Sequence, residues 1–313
     1  MNLLNTFTST GWKLFFHPKI LEKCPLGKGI PLSLQIAPTS RCNLNCCFCS
    51  NVNRNKYETL ESSAVVAFLK SMWLIGSRTI EWTGGGDPTM HPDMQSMILS
   101  ADSIGYEQGM ITNGIALKEM DPSVLNKLKW LRVSMNSLDY VSDIQIPDIS
   151  GVLGFSYVIN QKTNGSLFLR LKDYVKKYNP LYVRIVPNCQ CSYEEQEINN
   201  RELPLLVEKE LGGPPFFYQP KNFSKPERCW WGNFKPFLLH DGYIYPCSSV
   251  VLNYDAERSF HERYRWKHMD EFPEYFSGRM VPFSTTNCSH CVFGDQNSII
   301  DMLMCGSKMR NFL

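Results

Sequence analysis

The sequence predicts an α/β fold: a partial (β/α)6 TIM-like barrel followed by a small cysteine-rich C-terminal domain. Three observations lead to this prediction. Short β-branched or aromatic runs alternate with helical patterns, each run is followed by polar or glycine-rich residues, and the alternation stops near residue 195. Alternation of strands with helices is typical of parallel sheets built from βα units.

Six runs are predicted as strands, at Leu32–Ile36, Thr79–Trp82, Gln108–Ile111, Leu131–Ser134, Gly154–Ile159 and Tyr182–Val186. Helices are predicted from Leu60 to Ile75, from Pro92 to Gly105, from Asp121-Pro122 onward and from about Ser166 to Tyr178. In parallel barrels the active site lies at the carboxyl ends of the strands. The polar loops that follow the six strands are therefore expected to converge on one pocket.

Four segments are expected along the chain. Residues 1–29 form an N-terminal arm, 30–195 the barrel, 196–214 a linker and 215–313 the second domain. Within the last segment, Asp241-Gly242 lies between two apolar runs, which is a strong hairpin signal.

Composition narrows the class of protein. The chain has 313 residues, is 43% hydrophobic and 20% charged, and carries a net charge of +2. This balance is ordinary for a globular protein and does not indicate a surface for long nucleic acids. No apolar run is long enough for a signal peptide or a membrane span. A cytoplasmic protein without a membrane partner is therefore expected.

Twelve cysteines are the unusual feature, and their grouping favours metal binding over disulfides. The first group reads Cys42-Asn-Leu-Asn-Cys46-Cys47-Phe48-Cys49 and follows the first predicted strand. Thiolates are the usual ligands of iron–sulfur clusters, and three of them leave one iron of a four-iron cluster open. A structural zinc site is the alternative, although it usually gathers paired ligands. Cys47 is predicted to be a small core residue.

This spacing, with Phe48 before the last cysteine, resembles the radical S-adenosylmethionine (SAM) superfamily over about residues 30–195. The resemblance implies that Cys42, Cys46 and Cys49 hold a [4Fe–4S] cluster whose open iron chelates SAM. It also implies reductive cleavage of SAM to methionine and a 5′-deoxyadenosyl radical, which removes a hydrogen atom from the substrate. A flavodoxin or ferredoxin is the reductant that the family leads us to expect.

The same resemblance assigns a SAM pocket. Gly84-Gly85-Gly86-Asp87-Pro88 is similar to the family's Gly-Gly-Glu-Pro segment, whose backbone and carboxylate receive the SAM amino group. Asp87 is one methylene shorter than the usual glutamate, so backbone carbonyls are expected to carry more of that contact. The remaining cofactor contacts are expected from Phe48, Asn113, Ser134, Asn136, Asn160 and the backbone near Val186.

A second set of cysteines follows the barrel: Cys229, Cys247, Cys288 and Cys291, around the predicted Asp241-Gly242 turn. The order of cysteine, glycine and cysteine before a C-x₂-C pair resembles the SPASM/Twitch branch. The resemblance implies one auxiliary [4Fe–4S] cluster with four protein ligands, suited to electron transfer. Cys305 is an alternative to one ligand, and zinc is an alternative to the cluster, since spacing does not separate the metals.

Cys189 and Cys191 follow the sixth strand, where a thiol could return a hydrogen atom to a substrate radical. Buried structural cysteines are the alternative. Arg184, on the sixth strand, is predicted to pair either with an acidic substrate, with the SAM carboxylate or within the barrel.

The function predicted first is hydrogen abstraction from a small polar metabolite, leading to dehydrogenation, epimerisation or rearrangement. It resembles the Twitch dehydrogenases of aminoglycoside biosynthesis. A SPASM-type peptide maturase is the second prediction, although only about thirty residues precede the first strand, too few for an independent leader-binding domain. A cyclase of the molybdenum-cofactor type ranks below it, because the sequence ends Met-Arg-Asn-Phe-Leu rather than Gly-Gly. A non-catalytic zinc-binding module is the alternative from another class.

Overall fold

The fold was analysed in a computed structural model, which describes residues 6–8, 11–52, 55–221, 226–250, 263–276, 279–286, 288 and 291–305. The strands are β1 Ser33–Ile36, β2 Thr79–Trp82, β3 Glu107–Thr112, β4 Leu128–Ser134, β5 Val152–Val158, β6 Tyr182–Val186, β7 Phe216–Tyr218, β8 Arg228–Cys229, β9 Phe237–Leu238, β10 Ile244–Tyr245 and β11 Phe283–Ser284. The helices are α1 Pro18–Leu21, α2 Ser62–Ile75, α3 Met94–Ile104, α4 Pro122–Leu125, α5 Gly165–Tyr178, α6 Tyr193–Leu211, α7 Phe272–Phe276 and α8 Gly294–Cys305.

Nine strands form one sheet in the order β10-β9-β1-β2-β3-β4-β5-β6-β7. All neighbours pair in parallel except β10 and β9, which are antiparallel. The six predicted strands form the centre of this sheet, and the predicted helices cross between them. The α/β class with a parallel, partial-barrel sheet is therefore confirmed.

The sheet extends beyond the six predicted strands at both edges. β7 adds to β6, and the hairpin of β9 and β10 adds to β1. These three strands come from the segment predicted as a separate second domain. The hairpin itself turns at Gly242, whose φ of 83° suits glycine. Part of the C-terminal segment is thus built into the barrel sheet.

The predicted linker 196–214 is instead largely helix α6. The helix begins at a capping box, in which the Ser192 hydroxyl accepts the Glu195 amide and the Glu195 carboxylate accepts the Ser192 amide. The many charged residues of this segment suggested a linker. The capped helix α6 is instead followed by strand β7, which pairs with β6, so the segment forms a further βα unit.

The two faces of the sheet differ in polarity because successive side chains alternate. Outward residues such as Leu34, Trp82 and Val183 are buried against the helices in the main hydrophobic core. Inward residues such as Gln35, Glu81 and Arg132 line a cavity. The apolar core therefore lies outside the sheet, and polar chemistry lies inside it.

The N-terminal arm packs across this interior. Residues Gly11–Phe16 form a 3₁₀ turn, Phe7 stacks on Tyr182 of β6 at 4.3 Å between ring centroids, and Lys13 lines the cavity. No helix in the part of the chain that the structure describes has the length and apolarity needed to span a bilayer.

Candidate active site

The two ends of the first cysteine loop are joined by hydrogen bonds. Thr39 and Ser40 enter the loop, and their hydroxyls both donate to the carbonyl of Glu58, at 3.1 Å, where the chain leaves it. The Ser40 amide donates to the same carbonyl, and the Ser40 hydroxyl accepts the Glu58 amide. The loop is thus held at one place beyond the end of β1.

The loop brings the three predicted cluster ligands together. Cys42, Cys46 and Cys49 are half-buried thiols. Burial, then the charges of Cys49 and Cys42, raise the pKa of the Cys46 thiol to about 12. Three sulfur donors close enough to affect one another are the donor set that an iron–sulfur cluster needs, and its iron would lower their pKa.

No group of three His, Cys, Asp or Glu side chains in the described ranges is arranged as a ready-made site for a single metal ion. The neighbouring Cys47 is exposed, so its prediction as a core residue is wrong. Its side chain faces out because its amide is held by the Tyr140 hydroxyl at 2.9 Å. Tyr140, which follows β4, is a supporting residue that the sequence pattern did not reveal.

The glycine segment after β2 packs against the start of the cysteine loop. The Gly86 amide donates to the Thr39 carbonyl and the Asp87 amide to the Arg41 carbonyl, each at 2.8 Å. A Cβ on Gly86 would lie 2.0 Å from the Arg41 carbonyl oxygen, so only glycine permits this approach. The glycine segment therefore fixes the position of the cysteine loop.

The Asp87 carboxylate is used inside the protein. It is buried and accepts from the amide and hydroxyl of Thr89, from the Thr112 hydroxyl and from the Asn113 amide. Burial raises its pKa, although these donors oppose the rise. The carboxylate thus ties the loops after β2 and β3 together.

Asn136 and Asn160, predicted as SAM contacts, are also engaged internally. The Asn136 side chain bonds both the amide and the carbonyl of Val158, and both asparagines donate to Asp139. They join the ends of β4 and β5. The side-chain amides of both residues are therefore already hydrogen-bonded at this junction. Asparagine is common both in turns and in ligand sites, so the sequence alone could not distinguish the two roles.

The other predicted SAM contacts have different surroundings. The Asn113 side chain donates to Asn43 at 2.7 Å and lies 3.7 Å from the Cys42 sulfur, so it contacts the cysteine loop. The Ser134 hydroxyl makes no hydrogen bond within the described residues and is half-buried. Phe48 is half-buried and Val186 is buried.

The second cysteine set is assembled from three parts of the chain. Cys229 in β8 and Cys247 after β10 are buried, and Cys288 and Cys291 are half-buried. Burial, with the charges of Cys291 and Cys288, raises the pKa of the Cys229 thiol to about 12. All four line the same cavity. The side chain of the alternative ligand Cys305 lies outside the described residues.

Two residues that the sequence did not reveal hold this set. Asn297 of α8 is buried, accepts the Trp230 amide and donates to the Arg228 carbonyl, so it fixes the backbone on both sides of Cys229. Tyr264 is buried near Cys288 and Cys247, and its burial and the charge of Cys288 raise the pKa of its hydroxyl.

His240 links the two halves of the molecule. Its Nδ1 lies 2.8 Å from a carboxylate oxygen of Glu58, at the exit of the cysteine loop, and its ring packs on Gly85. Because His240 lies in the β9–β10 hairpin that precedes Cys247, this side chain joins the C-terminal segment to the glycine segment and to the exit of the cysteine loop.

One cavity of about 1050 Å³ reaches the second cysteine set and, at Ser50, the edge of the first cysteine loop. Ser50, next to Cys49, lies in its wall, and the four cysteines of the second set line it as well. Cys189 is also in the wall, whereas Cys191 is not. The Cys191 thiol instead donates to the Asn188 carbonyl at 2.9 Å and to Gln196 at 3.2 Å, at the start of α6. Of the two predicted hydrogen donors, only Cys189 faces the space.

Residues 36–149 match the sequence model of the Radical SAM superfamily. The chain therefore contains a radical SAM domain over these residues. The predicted family is thereby confirmed, and with it the cofactors that radical SAM enzymes use, a [4Fe–4S] cluster and SAM.

Similar proteins include a GTP 3′,8-cyclase from Chlorobaculum tepidum, 32% identical over 113 residues, which are 34% of this chain and 33% of that protein. A PqqA peptide cyclase from Gluconobacter oxydans is 26% identical over 126 residues, 40% of this chain and 35% of that one. The chain thus spans well under half the length of these curated relatives. Their identity supports the radical SAM family and leaves the reaction open.

The fold is similar to that of Streptococcus suis SuiB, solved bound to the precursor peptide SuiA. The TM-score is 0.55 at 14% identity, covering 85% of this chain and 70% of SuiB. The similarity extends well past the radical SAM domain. The shared fold thus reaches into the C-terminal segment, where the cysteine order predicted a SPASM/Twitch-type extension.

Proposed function

We propose that this radical SAM enzyme abstracts a hydrogen atom from a small polar metabolite held between two iron–sulfur clusters. The observation that carries the proposal is the shared cavity, which reaches from Ser50 beside Cys49 to all four cysteines of the second set. Its volume of about 1050 Å³ is that of a small-molecule site. Dehydrogenation, epimerisation and rearrangement all begin with this abstraction.

The residues of the first loop fit the cluster that the family uses. Cys42, Cys46 and Cys49 would hold three irons, and the backbone of Gly84–Gly86 with the Ser134 hydroxyl would contact SAM. When bound, the cluster and SAM supply an electron-driven cleavage to methionine and a 5′-deoxyadenosyl radical. The hydrogen bonds of Thr39 and Ser40 to Glu58, together with Tyr140 and Asp87, would hold the loops that orient these groups beside the cavity.

The second set fits an auxiliary [4Fe–4S] cluster with four protein ligands, Cys229, Cys247, Cys288 and Cys291. Four thiolates saturate such a cluster, which suits it to electron transfer rather than to binding SAM. Trp231 stacks on Phe293 beside the set and both rings line the cavity. This apolar wall would limit the access of water to the cluster. A zinc ion on the same thiols is the alternative that metal analysis separates.

The role of Cys189 would distinguish epimerisation from dehydrogenation. Its thiol lies in the cavity wall near Lys221 and Arg184. An epimerase would use such a thiol to return a hydrogen atom to the substrate carbon, whereas a dehydrogenase would leave it unused. Incorporation of solvent deuterium into product, lost in Cys189→Ala, would assign the epimerase branch.

A peptide maturase is the second candidate, favoured by the fold shared with SuiB and by the similarity to a peptide cyclase. The arm residue Phe7, which stacks on Tyr182, packs across the barrel interior and narrows the room for a chain. Measuring the yield of 5′-deoxyadenosine with GTP, with small polar alcohols and with short peptides would rank these substrates.

Anaerobic purification followed by iron and sulfide analysis tests the proposal first. Two clusters predict about eight irons per chain with matching sulfide. After reduction the protein should form 5′-deoxyadenosine from SAM, and Cys49→Ala should abolish this activity. Cys47→Ala is the matched control, since its exposed thiol lies two residues away and is not assigned as a ligand. Unchanged activity in Cys49→Ala would refute the ligand assignment.

A further inference from the structure

The cavity is strongly cationic. Among the residues that the structure describes, its lining includes two glutamates, Glu81 and Glu107, against seven lysine or arginine side chains: Lys13, Arg78, Lys129, Arg132, Arg184, Lys221 and Lys235. The whole chain has a net charge of only +2. Lys13, Arg78 and Lys129 are exposed, and the other four cations are half-buried or buried.

One of these acids is already neutralised. Lys235 Nζ lies 3.0 Å from Glu81 Oε2, and both side chains are largely buried. The Gln35 amide donates to the other Glu81 oxygen at 2.7 Å. Lys13 donates to the Thr6 carbonyl at 2.9 Å. In this corner of the cavity, Lys235 and Glu81 form an ion pair, and the Lys13 ammonium has a hydrogen-bond acceptor.

Three further cations, Arg132, Arg184 and Lys221, have no ion-pair partner within 4 Å among the described residues. The charge of Glu81 nevertheless acts on the two arginines. The Nε atoms of Arg132 and Arg184 are buried without a hydrogen-bond acceptor. Arg132 is 8% exposed. A buried donor without an acceptor is costly, so an acceptor in the cavity would be expected to bind here.

The three side chains are also mutual neighbours. Burial, followed by the charge of Arg132, lowers the pKa of Arg184 to about 9. Burial and the charges of Arg184 and Arg132 lower the pKa of Lys221 to about 8, against the charge of Cys189. Both groups remain cationic at neutral pH. Their repulsion would be relieved by an anion placed between them.

We propose that the barrel cavity binds a small molecule carrying at least two anionic groups, held by Arg132, Arg184 and Lys221. The inference rests on the proposed function, because it names the substrate class of the same cavity. Two guanidinium groups offer planar, paired donors that match phosphate or carboxylate oxygens, and the lysine adds a point charge.

The SAM carboxylate is not the ligand that this cluster fits. None of the positions predicted to contact SAM lines the cavity, including Ser134, which follows Arg132 by one inward step on β4. Cys189 lies in the wall beside the three cations. The anionic groups would therefore anchor the substrate next to the candidate hydrogen donor, and the cofactor would occupy a separate place.

Titration calorimetry of the anaerobic holoenzyme with sodium tripolyphosphate tests the proposal without turnover. Arg184→Gln and Arg132→Gln should each weaken binding about tenfold, the loss of one charge-assisted contact. Lys176→Gln, which removes the same charge from the exposed side of α5, should leave binding unchanged. Lys221→Gln, beyond the sheet, provides a third variant should an arginine variant not fold. Citrate in place of tripolyphosphate separates carboxylate from phosphate recognition.

Binding of tripolyphosphate or citrate that depends on these cations supports the proposal and assigns the anion type. Absence of binding of both, or equal loss in Lys176→Gln, overturns it. A parallel SAM titration must show unchanged affinity in Arg184→Gln, since an equal loss there would assign the arginine to the cofactor. Reductive SAM cleavage without substrate reports the proposed function separately, so the two can fail independently.

Discussion

The two cysteine sets are built in opposite ways. The first comes from eight consecutive positions in one loop, is half-buried and is held by backbone and side-chain hydrogen bonds at its ends, such as those between Ser40 and Glu58. The second combines Cys229, Cys247 and a C-x₂-C pair from distant segments, and side chains such as Asn297 hold it. The first set is therefore local in sequence and the second depends on the tertiary fold.

This difference suits the two roles proposed for the sets. A half-buried loop would leave room for an external ligand at the open iron, whereas four thiols from distant segments, two of them buried and two half-buried, would enclose a cluster. His240, in contact with both Glu58 and Gly85, ensures that the two sets keep their places across the cavity.

The largest expected effect comes from removing one ligand of each set. Cys46→Ala should lose about half of the iron and all reductive SAM cleavage. Cys291→Ala should also lose about half of the iron, about four atoms per chain, but retain SAM cleavage. Iron analysis and quantification of 5′-deoxyadenosine measure both. Loss of SAM cleavage in both variants would show that the sets do not have separate roles.

The next largest effect is on stability, and it tests one supporting side chain beside each cysteine set. Asn297→Ala leaves the Trp230 amide and the Arg228 carbonyl without partners, at a cost of about 2 kcal/mol. Asp87→Ala leaves four donors of the first region unpaired and should cost a similar amount or more. Chemical denaturation of the anaerobic proteins gives the free energy of unfolding. If either variant unfolded like the parent protein, that side chain would not hold its loop.

Anion binding in the cavity should depend on pH through the protonation of Lys221. Because its pKa is lowered to about 8, Lys221 is charged below that value and loses its proton as the pH rises through it. Arg132, Arg184 and Cys189 are the charged or titratable groups that face it. Tripolyphosphate affinity should fall between pH 7 and 9, and Lys221→Gln should flatten this part of the profile. An identical slope in the variant would assign the titration to another group.

The smallest expected effect is on the support of the first loop. Tyr140→Phe removes the hydroxyl that accepts the Cys47 amide and should destabilise the protein by about 1 kcal/mol. It should also lower the iron content of the first cluster without affecting the second. Mössbauer spectra of the two clusters would show this. Equal iron loss from both would mean that the tyrosine acts on the whole fold.

Much of the architecture could be predicted because it rests on local patterns. The alternation of apolar strands and capped helices placed β1 to β6, and the Asp241-Gly242 signal placed the β9–β10 hairpin. Helix α6 was predicted as a linker because its charged surface hides a core-facing stripe that includes Val207 and Leu211. Strand β7 has three residues and acquires its identity only by pairing with β6.

The parts of the candidate site that could be predicted are those in which the residue type and spacing indicate a ligand set. Cysteine spacing indicated the cluster ligands, but Asp87, Asn136 and Asn160 are saturated by neighbours that no spacing reveals. The cationic cavity is likewise invisible in sequence, because Arg132 and Lys221 lie on separate units and meet only inside the barrel. Long-range convergence, rather than local propensity, determines these parts.

Electron paramagnetic resonance of reduced Cys291→Ala, recorded with and without SAM, tests the central claim most directly. In this variant the only intact cluster should be the one held by Cys42, Cys46 and Cys49, and it should give the signal of the reduced protein. Its open iron should bind SAM, so addition of SAM should change the g-values of the signal. A signal unchanged by saturating SAM would show that the loop cluster has no open iron, and would contradict the account.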